Sequence, residues 1–270
     1  MGVLAFGPVP AASAATVSCQ GRPATMIGTP GDDVLQGTPG ADVIVGLDGV
    51  DVIQGAGGDD VLCGGPGDDF IRGNSGDDRI LGDEAEDDLK GNTGADVLVG
   101  GTGPDTLIGG RGDDVLRAGA GRDLVWLDRG DDFIGAGAGR HDWIQTSFGK
   151  FSSLAVNLTA GTAQGLGRDR LFGVENVQIG THRAPIVVIG TDGRNVVSAQ
   201  GTPAVIRGRG GNDTLFGGAF GDQLFGGRGD DSLAGRRDDD VLDGGAGIDR
   251  LDGGLGTDTC THGETLKSCP

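Results

Sequence analysis

From Gly28 to Ile144 the chain divides into thirteen consecutive nine-residue units without an insertion, and from Gly190 to Thr261 into eight more. Three of them read Gly64-Gly65-Pro66-Gly67-Asp68-Asp69-Phe70-Ile71-Arg72, Gly100-Gly101-Thr102-Gly103-Pro104-Asp105-Thr106-Leu107-Ile108 and Gly109-Gly110-Arg111-Gly112-Asp113-Asp114-Val115-Leu116-Arg117. Over the 21 units, position 6 is Asp in 18, position 4 is Gly in 17 and position 8 is apolar in all, counting Trp143 and Cys260. A period of nine matches neither the helical 3.6 nor the strand period of two. Each unit is therefore expected to be one turn plus one short strand of a solenoid. With 58 glycines, the longest glycine-free run past residue 20 is Lys150 to Ala160. That excludes a helical bundle, a doubly wound α/β fold and a membrane-spanning helix of about 20 apolar residues. The glycines do not recur every third residue, which excludes collagen.

The period assigns a place to each position. Positions 1 to 6 are expected to form the turn, with Gly at 1 and 4 supplying positive φ and close backbone approach. Positions 7 to 9 are expected to form the strand, with the side chain at 8 inward and those at 7 and 9 outward. Two units, 18 residues, would close one coil. Coils about 4.7 Å apart would make the first array about 30 Å long and the second about 19 Å. The charge restricts partners: 40 acidic against 21 basic residues give −19, which disfavours nucleic acid and anionic membranes and favours cations. Of the acids 36 are Asp and only 4 are Glu, a bias toward short carboxylates held close to turns. Composition alone would permit a disordered acidic chain; the periodicity argues against it once the charge is neutralised.

The unit GGxGxDxUx, with U aliphatic, closely resembles the calcium-binding nonapeptide of RTX-type parallel β-rolls, and the resemblance covers about 70% of the chain. It implies an all-β fold, a right-handed parallel β-roll or β-helix solenoid. It also implies Ca²⁺ between turns of neighbouring coils, held by backbone carbonyls and by the position-6 carboxylates of units n and n+2. The implied pairs are Asp33/Asp51, Asp42/Asp60, Asp51/Asp69, Asp60/Asp78, Asp69/Asp87, Asp78/Asp96, Asp87/Asp105, Asp96/Asp114, Asp105/Asp123 and Asp114/Asp132 in the first array. In the second they are Asp213/Asp231, Asp222/Asp240, Asp231/Asp249 and Asp240/Asp258, for a ceiling of about 14 ions. The donor chemistry agrees independently. Six to eight oxygen ligands suit Ca²⁺, Mg²⁺ demands a smaller and stricter octahedron, and zinc or copper would call for His and Cys. Between nine and ten divalent ions would neutralise the net charge of −19.

Departures from the pattern mark weaker units. Gly82-Asp83-Glu84-Ala85-Glu86-Asp87 lacks the second loop glycine, Asn195 and Ala204 replace Asp, and Phe220 and Asp238 replace Gly. The first array is thus the expected stronger binder. At the unit from Ala136, His141 occupies position 6 and Asp142 follows, which reads as the end of regular coiling. Residues 145 to 189 break the period but keep short apolar runs and a repeat remnant, Gly165 to Leu171. They resemble the linking coils between RTX arrays and are read as one or two wider coils filled by Trp143, Phe148, Phe151 and Phe172. The alternative is a hinge between two rolls.

The expected organisation is a leader-like segment at 1–15, a cap at 16–27, the arrays at 28–144 and 190–261, the linking coils, and a C-terminal cap at 262–270. Val3 to Val9 followed by Ala12-Ser13-Ala14 resembles a signal peptide and its cleavage site, although no Lys or Arg precedes it. In an exported chain Cys19, Cys63, Cys260 and Cys269 read as disulfides, and neighbourhood suggests Cys19–Cys63 and Cys260–Cys269 at the solenoid ends. Free thiols are the alternative. The three Arg-Gly-Asp triplets are positions 3 to 5 of the repeat, and the three histidines fall in no metal-ligand spacing. The expectation is a secreted, non-enzymatic Ca²⁺-binding solenoid with a structural or surface-interaction role. Calcium ions are its partners, and any macromolecular partner is of the class of cell-surface glycans or surface proteins. The rivals are a polysaccharide-acting enzyme using Asp169 or Glu175 in the central coils, and a toxin or protease fragment exported by a type I transporter. Paired cysteines speak against the last.

Overall fold

A strand that turns inward only an aliphatic side chain at position 8 and a glycine at position 1 has a flat inner face, and copies of it stack by placing like above like. In the computed structural model, which describes residues 17–139, 141–146, 153–165, 167–180 and 185–269, this yields thirty strands and, among the described residues, no helix. They form two long sheets of 13 and 15 strands and one antiparallel hairpin, Ser18–Cys19 with Arg22–Pro23. Successive units alternate between the long sheets, and each repeat strand pairs in parallel with the strand one coil further on. Val52–Gly57 pairs with Phe70–Ser75, placing Ile53 opposite Ile71. In the other sheet Val97–Thr102 pairs with Val115–Ala120, placing Leu98 opposite Leu116. Two files of buried aliphatics meet between the sheets, Ile44, Leu62, Ile80, Leu98 and Leu116 facing Ile53, Ile71, Leu89, Leu107 and Val125. Each such side chain contributes roughly 1.5–3 kcal/mol by leaving water. The fold is a parallel β-roll solenoid.

The strands are longer than the three residues expected. Val52–Gly57, Val97–Thr102 and Thr106–Arg111 each run from position 7 of one unit to position 3 of the next, so the turn proper is positions 4 to 6. Position 1 is an inward strand residue, and its glycine answers to crowding rather than to φ. A Cβ on Gly55 would collide with the Asp60 carboxylate and lie 2.9 Å from the Gly73 carbonyl of the next coil. Positive φ is needed instead at positions 2 and 4, as at Gly65 (118°) and Gly67 (136°).

Between the arrays the 13-stranded sheet runs on, Trp143–Thr146 pairing with Asn176–Ile179 and that strand with Val196–Ala199. The other sheet takes in three strands, Leu154–Asn157, Thr162–Gln164 and Arg168–Phe172, the middle one antiparallel to both neighbours. The outer two pair in parallel with Ile186–Ile189 and Phe133–Gly137. The nine-residue ruler slips just before this insertion. Leu124 faces Trp143 and Val125 faces Ile144, His141 has φ 85°, and the buried inward residue is Ile144 rather than Trp143. Phe172 is not in the core either; it is 55% exposed and stacks on Phe133 with ring centroids 5.1 Å apart. Leu154, Val156, Ala163, Leu171 and Val177 fill the interior there. Phe148, Phe151 and the leader-like segment lie outside the described residues.

Both disulfides are formed, Cys19–Cys63 and Cys260–Cys269. The first does not sit at the mouth of the solenoid: it fastens the N-terminal hairpin over the outer face of one sheet, where Cys19 packs with Val45 and Val61. The second lies against the C-terminal end of the core.

Candidate metal sites

Position 6 ends the turn and opens the strand, so its side chain stands at the edge of the coil, above and below its counterparts one coil away. All fourteen expected pairs are neighbouring rungs. In each, the backbone N–H of the earlier Asp donates to Oδ1 of the later one at 2.7–3.0 Å. Of the eighteen aspartates in those pairs, all but Asp33 are buried.

The files extend past the regular repeats. Asp123 N–H donates to Asp142, Asp142 N–H to Glu175, and Asn195 N–H to Asp213 on one edge. On the other edge Asp132 N–H donates to Asp169 and Ala204 N–H to Asp222, and Glu264 accepts from Asp249 N–H at the C-terminal end of the first file. Asp142 and Glu264 were not expected as rungs. Their signal is an acid two residues before an aliphatic, as in Asp142-Trp143-Ile144 and Glu264-Thr265-Leu266, which survives where the spacing of nine does not. A separate exposed row at position 5 runs in the opposite sense: Asp59, Asp68, Asp77 and Asp113 each accept an N–H from the next coil.

The second carboxylate oxygen distinguishes the inner files. In fifteen of the eighteen aspartates, Asp51, Asp60, Asp69, Asp78, Asp87, Asp96, Asp105, Asp114, Asp123, Asp132, Asp213, Asp231, Asp240, Asp249 and Asp258, Oδ2 is buried without a hydrogen-bond partner. Unpaired buried charge is costly, and the more deeply buried of these carboxyls respond by holding protons more tightly. Burial first, and like charges on adjacent rungs second, push Asp87 up to about 8 and Asp69, Asp78, Asp105 and Asp114 to about 7. Asp213 and Asp240 likewise rise to about 7.

Only oxygen atoms await a partner along these files, which is the donor set of a hard cation with six to eight oxygen ligands, and nothing in it suits a soft metal. The residues fit calcium. At one point the carboxylates gather further: an oxygen of Asp128, at position 2, lies with one each from Asp114 and Asp132 within a 4.8 Å cluster, and Asp128 also accepts Gly110 N–H at 2.6 Å.

Three aspartates differ. Asp42 Oδ2 accepts Thr38 N–H (2.7 Å) and Thr38 Oγ1–H (2.9 Å), and the Thr38 N–H foremost holds its carboxyl below the usual range. Asp33 is bonded likewise by Thr29. Asp222 is bonded on both oxygens, by Ala204 N–H and Gly218 N–H.

Stacked parallel coils with two oxygen-only files along their edges define a calcium-binding β-roll. The profile of the RTX calcium-binding nonapeptide repeat (4 copies) matches residues 27–62, 64–98, 90–125, 99–134, 189–224, 207–242 and 225–260. The matches span both arrays and about two thirds of the chain, and the protein belongs to this family. No curated protein gives a significant match to the chain.

Proposed function

We propose that the protein is an extracellular, non-enzymatic scaffold whose coils are drawn together by multiple Ca²⁺ ions at the position-6 files, with a structural or cell-surface role. The observation that carries this reading is the row of fifteen buried Oδ2 atoms without partners. Ordering 18 residues per coil costs about 1–2 kcal/mol each in backbone entropy, and a coil buries only about two aliphatic side chains in return. A cation that discharges the files therefore couples binding to folding. Extracellular calcium modules with dissociation constants of about 10⁻⁴–10⁻³ M would bind outside the cell and stay empty within it. Two disulfides fit that compartment. Support for a non-catalytic role comes from Asp169 and Glu175, which are rungs of different files, accepting from Asp132 and Asp142, and so do not form an acid–base pair. A surface glycan or surface protein is the proposed class of macromolecular partner.

Far-UV circular dichroism of the oxidised chain during a Ca²⁺ titration, with Mg²⁺ as control, tests this. A cooperative coil-to-β transition at submillimolar to millimolar Ca²⁺, absent with Mg²⁺, is the expected result. A chain fully β-structured in chelator would overturn calcium-driven folding.

A further inference from the structure

The second residue of each nonapeptide separates the turns into two kinds. In fifteen of the 21 units it has positive φ, even where it is not glycine: Leu47 (87°), Ala56 (82°), Asn74 (80°), Asp83 (85°), Asn92 (79°), Arg209 (87°) and Arg236 (89°). In every one of those fifteen the acid that closes the turn, a position-6 Asp or, at the slipped unit, Asp142, has a free buried Oδ2. In these open turns the position-2 N–H turns away from its own carboxylate; Leu47 N–H, for example, donates to the Gly64 carbonyl of the next coil.

Thr29, Thr38, Thr191 and Gly218 lack the left-handed φ. Each turns its N–H onto the position-6 side chain of its own unit, Asp33, Asp42, Asn195 and Asp222 respectively, at 2.5–2.7 Å. The three threonines add a hydroxyl bond to the same oxygen. At the three threonines the cause is steric, because a β-branched residue disfavours positive φ strongly; Gly218 makes the closed turn without that constraint. Asn195 makes the same closed turn as Asp42 with no charge at all, so this turn is complete without an ion. Of the two remaining units, one carries Ala204 at position 6 and the other pairs Asp132 with the extra carboxylate of Asp128.

We infer that the backbone conformation at position 2, held closed where a threonine stands there, decides whether a nonapeptide turn of this protein takes a cation, and that the first coil of each array, Thr29/Thr38 in one and Thr191/Ala204 in the other, is built to be cation-free. Position 6 alone does not specify a site. Eleven of the fourteen pairs keep two unbonded oxygens, while Asp33/Asp51, Asp42/Asp60 and Asp222/Asp240 keep one. Each array thus begins on a coil that needs no cation at its own turns, ahead of the metal-dependent coils that follow.

This inference rests on calcium binding by the files, and the test separates the two. Bound Ca²⁺ per oxidised full-length chain is counted by equilibrium dialysis at saturating calcium for the parent and for Asp42→Asn, Thr38→Gly and Asn92→Thr, with circular dichroism confirming the β-fold of each. The parent count is expected to be unchanged in Asp42→Asn, to rise by one ion in Thr38→Gly, and to fall by at least one in Asn92→Thr. The last variant imposes a turn the fold already uses at Thr38, so it is not expected to unfold the coil. A parent that binds calcium while Asp42→Asn loses an ion, or while Asn92→Thr keeps the full count, overturns the position-2 rule alone. A parent that binds none overturns it together with the calcium reading.

Discussion

At Asp68 and Asp87, in turns of successive coils, the same side chain does two different jobs. Asp68 is at position 5, exposed, and its Oδ1 accepts Glu86 N–H. Asp87 is buried at position 6, accepts Asp69 N–H through Oδ1 and keeps Oδ2 free. Replacing Asp68 with Asn preserves an acceptor for the Glu86 amide and is expected to leave the number of bound calcium ions unchanged. Asp87→Asn removes a free charged oxygen from between two rungs and is expected to cost at least one ion, raising the calcium concentration needed for folding. A calcium titration of the two variants side by side checks this; equal losses would contradict the assignment of the inner file as the ligand file.

At the scale of the element, the unit of construction is a six-residue strand and a three-residue turn. The C-terminal coil shows how such a unit is held when only one neighbour supports it. Among the described residues Thr265–Lys267 pairs only with Arg250–Leu255, and the Cys260–Cys269 disulfide ties the segment down. Because coupling in a solenoid passes chiefly between nearest neighbours, Cys269→Ser is expected to raise amide hydrogen exchange in Thr259–Thr261 and Thr265–Lys267. The local cost is about 2–4 kcal/mol, and Val97–Thr102 should exchange as before. Uniform loss of protection along the chain would contradict nearest-neighbour stacking.

The stacking itself was legible in the sequence, because the aliphatic at position 8 and the Asp at position 6 recur at fixed spacing, as at Leu98 and Asp96. The strand's full length was not, since a glycine at position 1 reads as a loop residue until its contact with Asp60 and the next coil's carbonyl is known. Nor was the slip at His141, where one added residue moves Ile144 inward in place of Trp143, nor the antiparallel strand Thr162–Gln164, which carries one buried alanine as its whole apolar signal. The closure of Asp33 and Asp42 was equally hidden: it depends on a backbone angle at Thr29 and Thr38 that the repeat pattern leaves open.

For the whole molecule, the two files make stability and calcium affinity respond to pH in opposite ways. Within the files Asp96 (about 6), Asp105 (about 7) and Asp87 (about 8) are raised by burial when folded, against about 3.9 when unfolded. Between these limits the folded, metal-free chain binds more protons than the unfolded chain, so its stability falls as pH rises. In chelator the residual β-structure read by circular dichroism is expected to shrink from pH 5 to pH 8 and to change little above. Calcium requires the deprotonated form, so in its presence the β-structure should instead grow over the same interval; parallel trends in the two series would contradict the coupling.

The central claim, that cations sit between coils at the free position-6 carboxylates, is tested most directly by an anomalous difference map from crystals of the oxidised chain grown with calcium. Peaks along both edges beside Asp51, Asp60, Asp69, Asp78 and their successors, none beside Asp33 or Asn195, are the predicted result. Peaks confined to the exposed position-5 row, or fully ordered coils with no peak on either file, would contradict it.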